Sequence, residues 1–214
     1  MSEPTQAEAE TPLTEEPVGQ LEGAPDHAVT EEELRRRDAA LAEVRTFGDP
    51  VLRSRASEVT EFGPELEREA ERMYRIMRDA MGVGLAATQL GALRRLLVFQ
   101  AGPDATPAAI ANPVVEWSSD ELATAAEGCL SLPRIIVDVE RPLYVRVSGR
   151  DSGGEPITIE ASGLEARVLQ HEIDHLDGVL ILDRTVREQR KAAMRALREG
   201  TSYSPEPEAE PEDE

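Results

Sequence analysis

Two of the three histidines of the chain lie four residues apart, in the sequence HEIDH at residues 171–175. Residues four apart on an α-helix share one face about one turn apart, so both imidazoles can bind a single metal ion. Glu172, next to the first histidine, can then act on a water bound to that metal. The remaining histidine, His27, lies in an acidic N-terminal segment. The pair and its glutamate therefore predict a metal-dependent hydrolytic site.

Cys129, in the sequence EGCLS at residues 127–131, is the one cysteine of the chain. Taken alone, such a cysteine is more often an inert core residue than a ligand. However, catalytic metal sites generally use three protein ligands and keep one position open for water, which leaves the histidine pair one ligand short. A thiolate completes the set, and sulfur ligation suits iron as well as zinc. We therefore predict that Cys129, His171 and His175 bind the metal.

A third cluster is rich in small residues and has the sequence GVGLAATQ at residues 82–89. Its glycines allow the backbone to approach another group closely. A phosphate-binding loop is an alternative interpretation, but the segment lacks a Lys-Ser/Thr ending and a preceding parallel strand, which disfavours a nucleotide role. Gln89 can instead offer its side-chain amide to a substrate or to an oxyanion.

Hydrophobic spacing predicts the elements that must position these residues. Apolar side chains at helical spacing predict a helix over residues 64–81. Short apolar runs separated by Gly, Pro, Asp and Ser predict strands, and the sequence DSGG at residues 151–154 predicts a hairpin turn. The predicted strands span residues 96–99, 114–117, 122–126, 143–147 and 157–159.

The HEIDH sequence lies in a second predicted helix. Ser162 and Glu165 have the spacing of a capping box at its start, and Gly178 marks its end. A third, basic amphipathic helix is predicted over residues 185–198. Helices interleaved with short strands indicate an α+β fold. We expect short, mostly antiparallel strands around a central helix that carries HEIDH, with a C-terminal helix.

The net charge of −20 is concentrated at the two ends of the chain. Residues 1–34 carry ten acidic and no basic side chains, and residues 201–214 carry six acidic and no basic ones. Both segments have too few large apolar side chains to offset the entropy of ordering, so we expect both to be disordered. Residues 35–200, with a net charge of −4, are predicted to form one catalytic domain.

Composition also narrows the location and the partners. No stretch approaches the roughly 18 apolar residues of a membrane-spanning helix, and the acidic N-terminus lacks the basic start of a secretion signal. A single cysteine fits a reducing compartment, so we expect a cytoplasmic protein. The aromatic content of 3% argues against a platform that stacks nucleic acid bases. We expect neither DNA nor a membrane as a partner.

The motifs at residues 82–89, 127–131 and 170–175 resemble, in order and spacing, the three signature motifs of the peptide deformylase family. A weaker similarity extends from the sequence GDPVLR at residues 48–53 through the C-terminal helix, while the two acidic ends lie outside it. The resemblance implies an enzyme that removes the N-formyl group from the N-terminal methionine of newly synthesised polypeptides. Formate would be the second product.

The resemblance further implies roles for the site residues. The metal would be Fe²⁺ in the cell, replaceable by zinc, nickel or cobalt, on the three predicted ligands. Glu172 would take a proton from the attacking water and return it to the leaving amine. The backbone N–H of Leu130 and the side-chain amide of Gln89 would stabilise the oxyanion.

Substrate specificity is implied to come from an apolar pocket for the methionine side chain, with Gly84, Ile135 and residues beside His171 as its walls. One departure concerns an arginine that helps several family members to orient the substrate backbone. Here Arg134 lies closer to the EGCLS motif than that arginine does, so the orientation of the peptide stays open. Asp174 has two interpretations, as a residue that orients a ligand or as a solvated helix residue.

Two other classes of protein are alternatives. A zinc protease of the HExxH type usually takes its third ligand from a downstream Glu or His, whereas no histidine follows residue 175 in this chain. A structural Cys/His zinc site in a ribosome-associated binding module would need four protein ligands. The third ligand therefore discriminates against the protease, while the number of protein ligands and the free base beside them discriminate against the structural site.

The basic C-terminal helix suggests the ribosome as one further partner. Its basic side chains can contact ribosomal RNA near the tunnel exit, as similar helices do in some family members, or they can form a solvated helix face. The residues concerned are Arg187, Arg190, Lys191, Arg195 and Arg198.

Overall fold

The computed structural model describes residues 29–206. Within them, the helices are α1 (Glu31–Leu41), α2 (Pro64–Asp79), α3 (Gly163–Leu176), α4 (Ile181–Arg184) and α5 (Arg187–Glu199), with short 3₁₀ helices at Pro50–Arg53 and Ala87–Leu90. The strands are β1 (Gly84–Ala86), β2 (Leu96–Phe99), β3 (Ala108–Ser118), β4 (Leu122–Gly128), β5 (Ile136–Pro142), β6 (Tyr144–Arg150) and β7 (Pro156–Ser162). None of the helices in this part of the chain is long and apolar enough to cross a membrane.

The larger sheet has the strand order β1-β2-β3-β6-β7, and each neighbouring pair is antiparallel. β2 is buried along its whole length. In β6, Val145 and Val147 are buried, as the alternation of side chains along a half-buried strand requires. The hairpin turn predicted at residues 151–154 joins β6 to β7, where the N–H of Asp151 donates to the carbonyl of Glu155.

β4 and β5 form a separate two-stranded antiparallel sheet, called the small sheet below. Leu122 lies opposite Pro142 at one end and Gly128 lies opposite Ile136 at the other. The sequence of β4, LATAAEG, is poor in residues that favour strands, so pairing with β5 must supply much of its stability. Because β4 ends at Gly128, the small sheet carries Cys129 at its end.

α3 packs against the larger sheet. Its apolar side chains Val168, Leu169 and Ile173 share a cluster with Val145 and Val147 of β6. Hydrophobic burial of this face therefore fixes the helix that carries the HEIDH sequence. The start and end of α3 agree with the prediction, but the predicted capping box does not form, since the Ser162 side chain makes no capping hydrogen bond.

The α+β class and the antiparallel arrangement confirm the expected fold. The prediction missed α1, β1, α4 and β5. In β5 the buried residues are Val137, Val139 and Arg141, so a charged side chain takes the third inward position. That arginine interrupts the alternation of apolar and polar residues that identifies a strand in a sequence.

The first helix begins at Glu31, inside the N-terminal segment (residues 1–34) that was predicted to be disordered. α1 starts at Glu31 and is capped by Thr30, whose hydroxyl accepts from the N–H of Glu33 at 3.2 Å. The carboxylate of Glu33 accepts in return from the N–H of Thr30 at 2.8 Å. Residues 1–28 of the predicted N-terminal extension lie outside the described residues.

The described part of the predicted C-terminal tail contacts the domain. Tyr203 forms a parallel bridge with Ile135. The carbonyl of Tyr203 accepts from the N–H of Ile136 at 2.8 Å. Arg134 donates from Nη2 to the carbonyl of Gly200 at 2.8 Å. Residues 207–214 of the predicted tail lie outside the described residues.

Gly178, which follows α3, and Gly200, which follows α5, provide a matched pair for a test of this architecture. Their φ angles are 75° and 66°. A Cβ at position 178 would lie 2.7 Å from the carbonyl oxygen of Arg53, whereas no atom of residues 29–206 that could obstruct it lies within 4 Å of a Cβ at position 200. We expect Gly200→Ala to lower the free energy of unfolding by about 1 kcal/mol and Gly178→Ala by about 3 kcal/mol. Urea unfolding measures both, and equal losses would contradict the close packing at Gly178.

Candidate metal centre and active site

The structure brings the three predicted metal ligands together. α3 presents His171 and His175 with their ring centroids 5.0 Å apart. Cys129 follows β4, and its Sγ lies 3.2 Å from Nε2 of His175. All three side chains are buried, and their candidate ligand atoms lie within 4.8 Å of one another. One sulfur and two imidazole nitrogens at these separations fit a single iron or zinc ion.

The carboxylate of Glu127 orients the ring of His171. Its Oε2 lies 3.0 Å from Nδ1 of His171. Since Glu127 is ionised, it accepts a hydrogen bond, so Nδ1 carries the hydrogen and the lone pair of Nε2 is left for a metal.

Glu127 is ionised even though it is fully buried. Nε and Nη2 of Arg141 donate to its two oxygens at 2.6 and 3.0 Å, and Nη1 of Arg167 donates to Oε1 at 2.7 Å. Burial by itself raises the pKa of Glu127, but the hydrogen bonds from His171 and Arg141 outweigh it and hold this pKa well below its usual range. Sequence reasoning had assigned no role to Glu127, Arg141 or Arg167.

Asp174 is buried and binds two arginines. Its Oδ2 accepts from Nη1 of Arg141 at 2.9 Å. Nε and Nη2 of Arg184 donate to its two oxygens at 3.0 and 2.5 Å. Of the two interpretations of Asp174, the solvated helix residue is therefore wrong. Asp174 is a counter-ion of Arg141, which in turn binds Glu127.

Glu172 lies beside the candidate ligands with its carboxyl group buried. Burial raises the pKa of Glu172 to about 7, a value at which the group can both accept and donate a proton near neutral pH. Its Oε2 has no hydrogen-bond partner among residues 29–206. The same carboxyl group packs on Gly84, where a Cβ would lie 2.4 Å from Oε1. A glycine at position 84 thus makes room for the carboxyl group.

The amide of Gln89 is fixed in one orientation. The N–H of Ala86 donates to its Oε1 at 2.8 Å. This contact leaves Nε2 as the donor end, which donates to Sγ of Cys129 at 3.8 Å and to Oγ of Ser131 at 3.3 Å. The donor group of Gln89 therefore points toward the candidate centre.

A small cavity lies at the candidate centre. Gly84, one of the predicted pocket walls, borders it, whereas Ile135 is 1% exposed and packs in an apolar cluster with Cys129. The role of Ile135 in substrate binding stays a prediction. The lining residues are Val83, Gly84, Gln89, Gly128, Cys129, Leu130, His171 and Glu172.

The sequence matches the model of the polypeptide deformylase family over residues 41–191, which include all three motifs. A peptide deformylase of Parafrankia sp. is 45% identical over 168 residues, which cover 78% of this chain and 91% of the relative. Peptide deformylase 1 of Corynebacterium glutamicum is 47% identical over 161 residues, which cover 74% of this chain and 95% of the relative.

Solved structures agree with the sequence comparison. A peptide deformylase from Synechococcus elongatus in complex with actinonin has a TM-score of 0.69 and 39% identity, over 74% of this chain and 88% of that one. The peptide deformylase from Thermotoga maritima has a TM-score of 0.65 and 45% identity, over 67% of this chain and 96% of that one. The likeness therefore extends over most of each relative's length.

Proposed function

This chain belongs to the polypeptide deformylase family and removes the N-formyl group from nascent polypeptides, and we propose that Cys129, His171 and His175 hold its metal ion. The enzyme is a metal-dependent hydrolase. The observation that carries the proposal for the ligands is the separation of at most 4.8 Å among their three buried ligand atoms. Glu172, the neighbour of His171 on α3, is proposed as the acid and base.

Glu172 moves the proton in this proposal. A metal ion held by Cys129, His171 and His175 would supply a Lewis acid, able to polarise the formyl carbonyl and to lower the pKa of water. Glu172 accepts the proton of the attacking water at Oε2, the oxygen that has no partner within residues 29–206. It then donates this proton to the nitrogen of the leaving amine. Formate and a free amino terminus are the products.

Gln89 and Leu130 are proposed to stabilise the negative charge that develops on the formyl oxygen. The side-chain amide of Gln89 donates from Nε2, which the contact with Ala86 holds in the required orientation. The backbone N–H of Leu130, in the wall of the small cavity, is the second donor. Such a donor typically contributes about 3 kcal/mol to the stability of a transition state.

The substrate is proposed to be a peptide that begins with N-formylmethionine. Gly84 supports this proposal because it borders the small cavity at the candidate centre. Ile135 is proposed as a further wall of the methionine pocket, together with residues beside His171, because it packs in the same cluster as Cys129. The guanidinium of Arg134 donates to the carbonyl of Gly200. Arg134 is therefore not proposed to orient the substrate backbone.

Fe²⁺ is the proposed metal in the cell, with zinc, nickel or cobalt as replacements. A thiolate with two imidazoles suits each of these ions. Ferrous iron with a thiolate ligand is prone to oxidation, which supports a location in the reducing cytoplasm. Metal content is therefore best determined on protein that has been prepared anaerobically.

The basic face of α5 is proposed to contact ribosomal RNA. Its basic side chains are exposed, and Arg190 also lies 3.4 Å from Asp183. A row of exposed cations on one helix matches the phosphate backbone of RNA. The side chains are Arg187, Arg190, Lys191, Arg195 and Arg198.

Replacing the proposed acid and base tests the mechanism. We expect Glu172→Ala to keep its metal, because Glu172 is not a ligand, and to lose about a thousandfold in kcat. The assay is formate release from formyl-Met-Ala-Ser, with metal content determined in parallel. Near-normal kcat in the metal-loaded variant would refute the role. The unformylated peptide is the control substrate, and its cleavage would point to an HExxH protease.

A backbone substitution tests the position of Glu172 independently. A methyl group at position 84 must displace the Glu172 carboxyl group, so we expect Gly84→Ala to lower kcat by about 100-fold with the metal retained. Gly82→Ala is the matched control, because the nearest atom to its Cβ is the terminal Cδ1 of the Leu130 side chain at 3.0 Å and not a carboxyl group. Equal activity of the two variants would contradict the proposed packing.

The ribosome proposal predicts a loss of binding when the basic face of α5 is neutralised. Replacing its five basic side chains with Gln should weaken co-sedimentation with ribosomes by more than about tenfold, and binding by the wild type should fall with added salt. The same replacement at exposed arginines of α2 (Arg68, Arg72, Arg75 and Arg78) is the control. Unchanged binding by the α5 variant would remove this proposal.

A further inference from the structure

The elements that carry the proposed metal ligands pack in two different apolar clusters. Cys129 packs with Val137 and Val139 of the small sheet and with residues of α4 and α5. α3, which carries both histidines, packs with the larger sheet through Leu169 and Ile173. Hydrophobic packing alone therefore does not set the distance between the cysteine and the histidines. Polar contacts must do so, and several of them join the small sheet directly to α3.

Arg167 makes the most extensive of these contacts. It lies on α3 one turn before His171 and is 3% exposed. Nη1 donates to Oε1 of Glu127 at 2.7 Å and to the carbonyl of Val139 at 2.8 Å. Nη2 donates to the carbonyl of Ala123 at 2.7 Å. One side chain of α3 thus binds both strands of the small sheet.

Three other links join the same elements. Gln170 of α3 donates from Nε2 to the carbonyl of Pro142 at the end of β5 at 3.0 Å, and the other two links run through side chains alone. Glu127 of β4 accepts from Nδ1 of His171, and Arg141 of β5 donates to Asp174 of α3. Side chains can change rotamer, whereas backbone carbonyls in a paired strand cannot move independently. Arg167 binds a carbonyl on each strand, whereas Gln170 reaches β5 alone, so the contacts of Arg167 restrict the positions of β4 and β5 together more directly than the other links do.

The geometry of these contacts requires a guanidinium group. Arginine presents its donors in a rigid planar fork, so two nitrogens can bind acceptors on separate strands. A lysine offers one nitrogen on a flexible chain and can reach only part of this set. A methionine fills similar space and offers no donor at all.

We infer that Arg167 is a positioning residue that holds the small sheet against α3 and so sets the position of the Cys129 thiolate relative to His171 and His175. The inference rests on the metal ligands proposed above. It assigns Arg167 a role in metal binding although the hydrogen bonds of Arg167 go to Glu127, Val139 and Ala123 and to none of the metal ligands. Partners that orient metal ligands in this way typically contribute a factor of 10 to 100 to metal affinity.

Cobalt binding by three variants tests this inference. Arg167→Met removes all donors, Arg167→Lys keeps the charge, and Arg146→Met is the control. Arg146 is an exposed arginine that binds Glu160 on the larger sheet, away from the junction. Competition with a chelator gives the Kd for Co²⁺, and the absorption spectrum reports the bond between the thiolate and the metal. Urea unfolding with and without Co²⁺ separates folding from metal binding.

The expected order of affinity is wild type and Arg146→Met first, then Arg167→Lys, then Arg167→Met. We expect the Kd of Arg167→Met to rise by about 10- to 100-fold and its thiolate-to-cobalt absorption to shift. A smaller gain in unfolding midpoint on addition of Co²⁺ should accompany these changes, because a bound metal stabilises the folded state according to its affinity.

Each contrary result has a distinct meaning. A folded Arg167→Met with the wild-type Kd and spectrum, and only a lower unfolding midpoint, would show a purely structural role and overturn the inference. If Arg167→Met does not fold, Arg167→Lys decides, and a wild-type Kd and spectrum in that variant would overturn the inference equally. If the wild-type protein itself shows no thiolate-to-cobalt absorption, the proposed ligand set fails before Arg167 is tested.

Discussion

The buried carboxylate of Glu127 is the point at which the separate parts of this fold meet. It lies on β4 and accepts hydrogen bonds from Arg141 on β5 and from Arg167 and His171 on α3. An ionised carboxylate without such donors would be expelled from the interior or would take up a proton. The small sheet and α3 must therefore stay in the arrangement that satisfies Glu127, and this arrangement brings Cys129 next to the two histidines.

Buried charges of this kind favour a unique geometry more than they favour stability. Removing two charges from water costs several kcal/mol per ion, and good hydrogen bonding recovers this cost only in one arrangement. The Arg141–Asp174 pair extends the same constraint toward Arg184 at the surface. Around the site, apolar packing fixes each element separately, while the charges fix the elements relative to each other. The hydrolytic chemistry proposed for Glu172 and Gln89 depends on that relative placement.

The sequence indicated the candidate site residues but not the contacts that position them. Helical spacing was sufficient to bring His171 and His175 onto one face, and the motifs indicated the family. The orientation of Gln89 depends on the N–H of Ala86, which no pattern reveals before the segment folds. β5 escaped prediction because Arg141 takes an inward position, and that same arginine proved to be a partner of Glu127. The residue that breaks the alternation of apolar and polar side chains in β5 is thus one that fixes the position of a site element.

The central claim is that one sulfur and two imidazoles of this chain bind the catalytic metal. X-ray absorption spectroscopy of the zinc-loaded protein tests it most directly, because sulfur and nitrogen scatterers differ in distance and strength. The account predicts one sulfur at about 2.3 Å and two imidazole nitrogens at about 2.0–2.1 Å, with the sulfur absent from Cys129→Ala. A first shell of nitrogen and oxygen alone in the wild-type protein would contradict it.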